Sequence, residues 1–180
     1  MSKEPTISSK VIFKGRAFNV RVDNIRMPDD RETTREIVEH TPCVVIIPVD
    51  EDDNVLLVQQ YRKAIEKELL EIPAGGIDGD ETPEQAVIRE MQEETGFIPA
   101  KLVKLRGFYS TPGFCTEYLH CYLAMELTPS RLFAEDTDEI KVVKVPVKEI
   151  PALLASGKVE DSKTFAGLYL YLEWRKHKLQ

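Results

Sequence analysis

The sequence has few cysteines and no long hydrophobic run. Its three cysteines, Cys43, Cys115 and Cys121, are odd in number and form no C-x-x-C pair, which argues against a disulfide framework or a zinc knuckle. The longest apolar run, Cys43 to Val49, contains a proline and is far too short to cross a bilayer. No basic start is joined to an apolar stretch at the N-terminus, so no secretion signal is expected. We therefore expect a cytoplasmic protein without a membrane partner.

The sequence also lacks a surplus of positive charge. Its 180 residues include 24 Lys and Arg against 31 Asp and Glu, which gives a net charge of -7 at pH 7. A protein that follows a nucleic-acid backbone needs cations to replace the counterions of the phosphates. The composition therefore argues against nucleic acid as a partner.

Several common catalytic motifs are missing as well. The three histidines, at 40, 120 and 177, are dispersed, and no G-x-S-x-G motif is present. The glycine-rich stretch Gly75 to Gly79 makes no dinucleotide-binding fingerprint, and no G-K-[ST] loop exists for a phosphate-binding loop. A serine or cysteine hydrolase is therefore not expected.

The pattern of the chain changes near residue 41. Residues 1–41 carry eight basic and seven acidic side chains, and apolar residues such as Val20 and Val22 alternate with polar ones. A two-residue period predicts a half-buried strand, and the turn residues 28–30 predict a second strand over Thr33 to Glu39. Because an isolated hairpin is marginal in water, this part must pack on the rest of the chain or on a second subunit.

From residue 42 the pattern is that of a mixed α/β domain. Runs of apolar and β-branched residues predict strands at 43–47, 55–58, 102–108, 118–125 and 141–147, with 68–72 either strand or extended loop. Helical periodicity predicts helices at 83–95, 148–155 and 162–177. Regular alternation of strand and helix is missing, which favours a mixed sheet with packed helices over a doubly wound parallel fold.

The segment 82–96 has the clearest helix signals. Thr82 is a good N-cap, Pro83 suits the first helical position, and Gln85 completes a capping box. Gly96 is a typical terminator. The sequence therefore predicts an α-helix over 83–95.

Three carboxylates of this helix share one side. At about 100° per residue, Glu90, Glu93 and Glu94 fall on an arc of roughly 100°. Like charges four residues apart and acidic groups in a last turn are both unfavourable, and a bound cation would reverse both effects. Clustered oxygen ligands without His or Cys suit Mg²⁺ or Mn²⁺. From these residues alone, a solvated acidic face remains the alternative.

The spacing around the helix favours the metal site. The pattern G-x5-E-x7-R-E-U-x-E-E-x-G-U, with U a bulky apolar residue, is matched by Gly75, Glu81, Arg89, Glu90, Met91, Glu93, Glu94, Gly96 and Phe97. This resembles the Nudix box, the signature of the Nudix hydrolase superfamily. Flanking stretches look like those of ADP-ribose pyrophosphatases: Arg35–Glu39, Gln60–Arg62, Leu70–Gly76, Thr111–Phe114 and Asp161–Gly167.

The resemblance implies a fold, an assembly and an activity. The fold is a Nudix-type α/β/α sandwich with a mixed sheet over 42–180, plus an N-terminal antiparallel β-sheet module over 1–41. In similar proteins that sheet crosses to a second subunit, so a homodimer with a shared site is expected. The activity is metal-dependent hydrolysis of the diphosphate of ADP-ribose, or a similar nucleoside diphosphate sugar, to AMP and ribose 5-phosphate, with Mg²⁺ or Mn²⁺ as cofactor.

The resemblance also implies roles for particular residues. The metal ligands would be Glu90, Glu93, Glu94 and the carbonyl of Ala74. The catalytic residues would be Glu93, Arg89, which orients carboxylates, and a general base from an acidic loop: Glu139 first and Asp136 second. The residues that contact substrate would be Phe18, Arg35, Arg62, Pro112, Gly113 and Glu117.

Alternatives remain at this level. Without the resemblance, Arg35 and Arg62 would each be interpreted as a surface cation. Phe18 would be interpreted as a core residue of the N-terminal strand. The same fold could hydrolyse GDP-mannose, NADH, FAD or a diadenosine polyphosphate. It could also bind a nucleotide sugar without cleaving it and regulate a partner, but the retained box glutamates favour catalysis.

Overall fold

The computed structural model describes residues 4–134 and 139–178. The chain forms two compact units. The first comprises Met1–Pro42 and Tyr109–Tyr118, and the second comprises Cys43–Phe108 and Leu119–Gln180.

The first unit is built on a three-stranded antiparallel sheet. Its strands, in the order β1-β2-β3, are β1 (Thr6–Lys14), β2 (Phe18–Arg26) and β3 (Glu32–His40). Strands β2 and β3 form the predicted hairpin. The sequence did not predict β1, because all its residues are exposed and no alternation of apolar and polar residues marks it. The segment 109–118 joins β3 through hydrogen bonds between the backbone of Val38 and those of Phe114 and Thr116.

The second unit contains two further sheets and the helices. Its strands are β4 (Cys43–Pro48), β5 (Asn54–Arg62), β6 (Lys67–Glu71), β7 (Ala74–Gly76), β8 (Phe97–Lys104), β9 (Phe108–Tyr109), β10 (Tyr118–Pro129) and β11 (Lys141–Pro146). The last residue of β9, Tyr109, and the first of β10, Tyr118, belong to the first unit. Its helices are α1 (Pro83–Glu90), continued by a π-helical turn (Met91–Thr95), a 3₁₀ turn (Val147–Glu149), α2 (Ile150–Ala155) and α3 (Ser162–Lys178). One sheet is mixed, in the order β7-β4-β10-β8 with β9 on β10, and the other is antiparallel, in the order β11-β5-β6.

Helices cover both faces of the mixed sheet. Strands β4 and β10 are parallel neighbours in the middle of this sheet. As in any strand, their successive side chains point to opposite faces. One face packs Val45 and Leu123 against Leu168 and Tyr171 of α3. The other face packs residues of β4 and β10 against α1 and the π-helical turn, namely Val44, Ile46, Tyr122, Ala86, Val87 and Met91. The predicted mixed α/β sandwich is therefore confirmed.

The structure changes the extent of several predicted elements. The predicted strand at 102–108 is divided between β8, which begins earlier, and β9. The glycine-rich stretch from Gly75, for which the sequence predicts no strand, begins as strand β7, since pairing with β4 overrides the low strand propensity of glycine. Among the described residues, no helix is both long and apolar enough to cross a membrane.

Candidate active site

The candidate site is built on α1 and the turn that follows it. The predicted capping box is present: the Thr82 hydroxyl accepts from the Gln85 N–H at 3.3 Å, and the Gln85 side chain accepts from the Thr82 N–H at 2.8 Å. The predicted α-helix over 83–95 was wrong in its last turn, which is π-helical. The Met91 carbonyl accepts the Gly96 N–H, five residues further along the chain. It also accepts the Thr95 hydroxyl, and this side-chain bond competes with the backbone bond of a regular α-helix for the same carbonyl. Gly96 ends the helix with φ 77°, a left-handed conformation that favours glycine.

Two box carboxylates lie against strand β7. The Glu94 carboxylate accepts the Ala74 N–H at 3.1 Å. The Glu90 carboxylate lies so close to Gly75 that a Cβ there would overlap it. Glu90 and Glu94 are only 8% and 6% exposed. A glycine at position 75 therefore makes room for a buried carboxylate, and this close approach explains the first glycine of the box.

Arg89 ties the remaining box residues together. Its guanidinium makes two bonds of 2.9 Å to Glu81, one of 2.6 Å to Glu90 and one of 3.3 Å to Glu93. It also donates to the Gly76 carbonyl at 2.8 Å. The hydrogen bonds from Arg89 hold the pKa of Glu81 below its usual value. Arg89 thus orients three acidic side chains and anchors the end of β7 with its planar set of donors.

The two buried carboxylates are short of positive charge. Burial, together with the negative charge of Glu90, raises the pKa of Glu94 to about 8 against the hydrogen bond from Ala74. Burial also raises the pKa of Glu90, despite its bond to Arg89. Buried charges are normally paired or bound to a cation. Carboxylate oxygens short of compensation are a donor set that fits a hard divalent cation.

Arg62 belongs to a neighbouring ion cluster in the same unit. Its guanidinium forms a two-bond fork with Glu71, with distances of 2.7 Å from Nε and 2.6 Å from Nη2. Lys163 also donates to Glu71, and to Asp161 at 3.0 Å. Burial alone would raise the pKa of Glu71, but these cations outweigh it and hold that pKa below its usual value.

Phe18 and Arg35, two of the predicted substrate residues, lie in the sheet of the first unit. The Phe18 ring packs against the Phe13 ring with centroids 5.9 Å apart, and Phe18 is 41% exposed. Arg35 donates to both carboxylate oxygens of Glu4, at 3.2 and 2.9 Å.

Three further predicted substrate residues lie on the segment that joins β3. Pro112 and Gly113 are exposed in a turn in which the Thr111 carbonyl accepts from the Phe114 and Cys115 N–H groups. Glu117 places a carboxylate oxygen 3.8 Å from the His40 ring.

The predicted general bases come from the acidic loop. Glu139 is exposed just before β11. Asp136 lies outside the described residues.

Sequence reasoning assigned no role to Glu71 or Lys163. Both occur in stretches that look familial, but neither belongs to the spaced box pattern. The sequence feature that could have identified Glu71 is its position directly after two leucines and before an isoleucine. A charged residue in such an apolar run is expected to be buried, and a buried charge is rarely unpaired.

A family model and two curated relatives match most of this chain. The family model described as the NUDIX domain matches residues 39–168. The ADP-ribose pyrophosphatase of Bacillus subtilis (strain 168) is 37% identical over 174 residues, covering 95% of this chain and 94% of the relative. The methanol dehydrogenase activator of Bacillus methanolicus is 35% identical over 180 residues, covering 98% and 97%.

A solved structure shows the same fold. A crystal structure of an ADP compounds hydrolase superimposes with a TM-score of 0.90 at 24% identity, covering 98% of this chain and 96% of that one. The extent of the domain match and of the sequence identity shows that this chain belongs to the Nudix family.

Proposed function

We propose that this chain is a pyrophosphohydrolase that cleaves ADP-ribose, or a similar nucleoside diphosphate sugar, to AMP and ribose 5-phosphate. The observation that carries the proposal is the burial of Glu90 and Glu94 against Ala74 and Gly75. The relative named an ADP-ribose pyrophosphatase, similar over nearly the whole chain, supports the substrate.

The divalent ion of the family would be held by Glu90, Glu94, Glu93 and the Ala74 carbonyl. All of these are oxygen donors, so we assign Mg²⁺, with Mn²⁺ as a substitute. When bound, such an ion supplies a Lewis acid that draws negative charge from the diphosphate oxygens.

The chain's own residues bind and orient in this reaction. Arg89 holds Glu90 and Glu93 in place, because its donors contact both. Arg62 would bind the diphosphate as a forked donor, as would Arg35. Glu139 would take the proton of the attacking water, with Asp136 as the second choice.

We assign the remaining predicted contacts to the substrate as well. Phe18 would stack on the adenine, since its ring is partly exposed. Pro112, Gly113 and Glu117 would contact the substrate. These roles stay predictions.

We also propose a homodimer, with residues 1–41 as the dimerisation module. Strand β1 is exposed along its whole length and carries four exposed apolar residues, Ile7, Val11, Ile12 and Phe13. An edge of this kind is a template for pairing with another chain. Light scattering should give twice the mass of 20.5 kDa, and a fully active monomer would contradict the proposal. The cytoplasmic location stays a prediction.

The function is tested by chromatography of reaction products. The panel contains ADP-ribose, GDP-mannose, NADH, FAD and diadenosine polyphosphates, with Mg²⁺ and with a chelator. We expect AMP to form fastest from ADP-ribose, and only with the metal. Glu93→Gln should lower turnover, while the exposed Glu51→Gln serves as the control. A faster reaction with GDP-mannose would keep the catalytic centre and contradict the substrate assignment.

A regulatory role is the second candidate. It is favoured by one observation, the similarity to a relative named as an activator of methanol dehydrogenase. Saturable binding of ADP-ribose with no turnover of any member of the panel would favour this role. Turnover that depends on Glu93 would favour the hydrolase.

A further inference from the structure

The cluster around Glu71 joins three separate parts of the second unit. Glu71 ends strand β6, Arg62 ends strand β5, and Lys163 lies in the first turn of α3. The Glu71 side chain is 1% exposed, whereas that of Arg62 is 40% exposed. The carboxylate is therefore a buried, fixed partner, and the guanidinium that it holds reaches the surface.

The geometry of the fork restricts Arg62 to one orientation. Its bonds to Glu71 use Nε and Nη2. Within the described part of the chain, no acceptor takes a hydrogen bond from its Nη1 group. A guanidinium is planar, so two parallel bonds on one edge set the direction of the remaining N–H groups. Those groups are the ones that a phosphate oxygen can use.

A second set of hydrogen bonds joins the start of α3 to the residue that follows Glu71. Asp161 accepts from both the backbone N–H of Thr164, at 3.0 Å, and its hydroxyl, at 2.5 Å. The Thr164 hydroxyl in turn accepts the N–H of Ile72 at 2.9 Å. Ile72 follows Glu71 directly and lies two residues before Ala74, whose N–H bonds to Glu94. The start of α3 thus anchors both the carboxylate that holds Arg62 and the segment leading to the candidate metal site.

We infer that Glu71 is a positioning residue for the diphosphate: it acts through Arg62, whose guanidinium it orients toward substrate, and Lys163 holds Glu71 in turn. The inference rests on the proposed function, because it takes Arg62 as the group that binds the diphosphate. It adds that the ion cluster at the ends of β5 and β6 and the start of α3 takes part in binding the diphosphate.

The test is a double-mutant cycle between Glu71→Gln and Arg62→Ala. Two quantities are measured for wild type, both single variants and the double variant: kcat/KM for ADP-ribose with Mg²⁺, and the Kd of ADP by calorimetry. Because misplacing a binding group by about 1 Å can cost about 100-fold, we expect losses in kcat/KM of about 10-fold for Glu71→Gln and about 100-fold for Arg62→Ala. The double variant should equal Arg62→Ala, since Glu71 then has nothing left to position.

A merely structural role gives a different result. If Glu71 only stabilises the fold, the two losses multiply, and the inference is overturned. Arg62→Lys should fail to restore activity, because an ammonium cannot form the fork. If Glu71→Gln does not fold, the cycle is run with Glu71→Asp, which keeps the buried charge and shortens its reach.

A matched control lies beside the cluster, between β6 and the residues just before α3. Lys67 of β6 pairs with Glu160, just before α3, at 2.5 Å, and both side chains are about half exposed. Glu160→Gln removes this pair and should change kcat/KM less than twofold. If wild type binds ADP but cleaves nothing, the proposed function fails, and coupling in the ADP cycle still supports this inference. If the wild type cleaves ADP-ribose and the losses multiply in both cycles, only the inference fails.

Discussion

Two buried carboxylates of the second unit meet opposite electrostatic conditions. Glu71 is 1% exposed and Glu94 is 6% exposed. Glu71 is bonded to both Arg62 and Lys163, and its pKa is lowered although burial opposes this. Glu94 accepts one backbone N–H and faces Glu90, and its pKa is raised to about 8 by burial and by that neighbour.

The difference separates a carboxylate that the fold pairs with its own cations from one that it leaves short of positive charge. Burying a carboxylate is costly unless it is paired, and the fold provides the pairing for Glu71 from its own side chains. For Glu94 the fold leaves the compensation incomplete. A site whose charge is completed only by a cation from solution is poised to bind that cation, which is what a metal-dependent hydrolase requires.

The largest expected effect comes from neutralising Glu94, the carboxylate that is short of positive charge. Glu94→Gln should lower kcat/KM for ADP-ribose by about 100- to 1000-fold, the range seen when a main electrostatic contributor is removed. Isothermal titration with Mn²⁺ should show weakened binding in the same variant. The exposed Glu68→Gln, on β6, is the control and should leave both quantities unchanged. Full activity of Glu94→Gln would refute its role in metal binding.

The next effect is on stability, at the paired carboxylate, Glu71. Lys163→Met removes one cation from Glu71 and makes its surroundings more like those of Glu94. We expect a loss of about 3 kcal/mol in the free energy of unfolding, because one partner of a buried pair is removed. Urea unfolding measures this loss. Lys67→Met breaks an exposed pair and should cost less than about 0.5 kcal/mol, so equal losses would contradict the comparison.

Two adjacent glycines, Gly75 and Gly76, differ in the space that their surroundings leave for a side chain. A Cβ at Gly75 would overlap the Glu90 carboxylate, whereas at Gly76 the nearest atom, an Asp78 oxygen, is 4.0 Å away. Because the end of a flexible side chain can move, Gly75→Ala should fold and displace the carboxylate. We expect kcat/KM to fall by about 10- to 100-fold in Gly75→Ala, since small misplacements are costly. Gly76→Ala should stay within about threefold of wild type, and equal losses in the two variants would argue against this reading.

The smallest expected effect is a pH dependence of the metal-free protein. The pKa of Glu94 is about 8 in the folded chain, against a usual value of 4.5, so the folded state binds more protons in between. Stability therefore falls as pH rises through this range. With a chelator present, wild type should lose about 1–2 kcal/mol more than Glu94→Gln between about pH 6 and pH 8. Thermal unfolding of both proteins checks this, and parallel curves would contradict it.

The local elements of the site were predictable from the sequence. The capping box at Thr82 and Gln85 and the stop at Gly96 are short-range signals, and the structure confirms them. The π-helical turn was not predictable, because it depends on which donors reach the Met91 carbonyl. Strand β1 carries no burial pattern, and β7 is a strand only because β4 pairs with it.

Local sequence signals could not predict which buried carboxylates are paired with a cation. Glu71 binds Arg62, nine residues away, and Lys163, 92 residues away. No spacing within a helix or strand predicts such pairs, because they form only when distant segments pack.

The sequence by itself determined the family, the helix that carries the glutamates and the order of those glutamates along it, because helical periodicity is set by the local backbone. The tertiary structure alone decided which carboxylates are compensated. Burial and pairing depend on what packs around a group, so Glu71 received two cations from β5 and α3, while Glu94 received one N–H from β7.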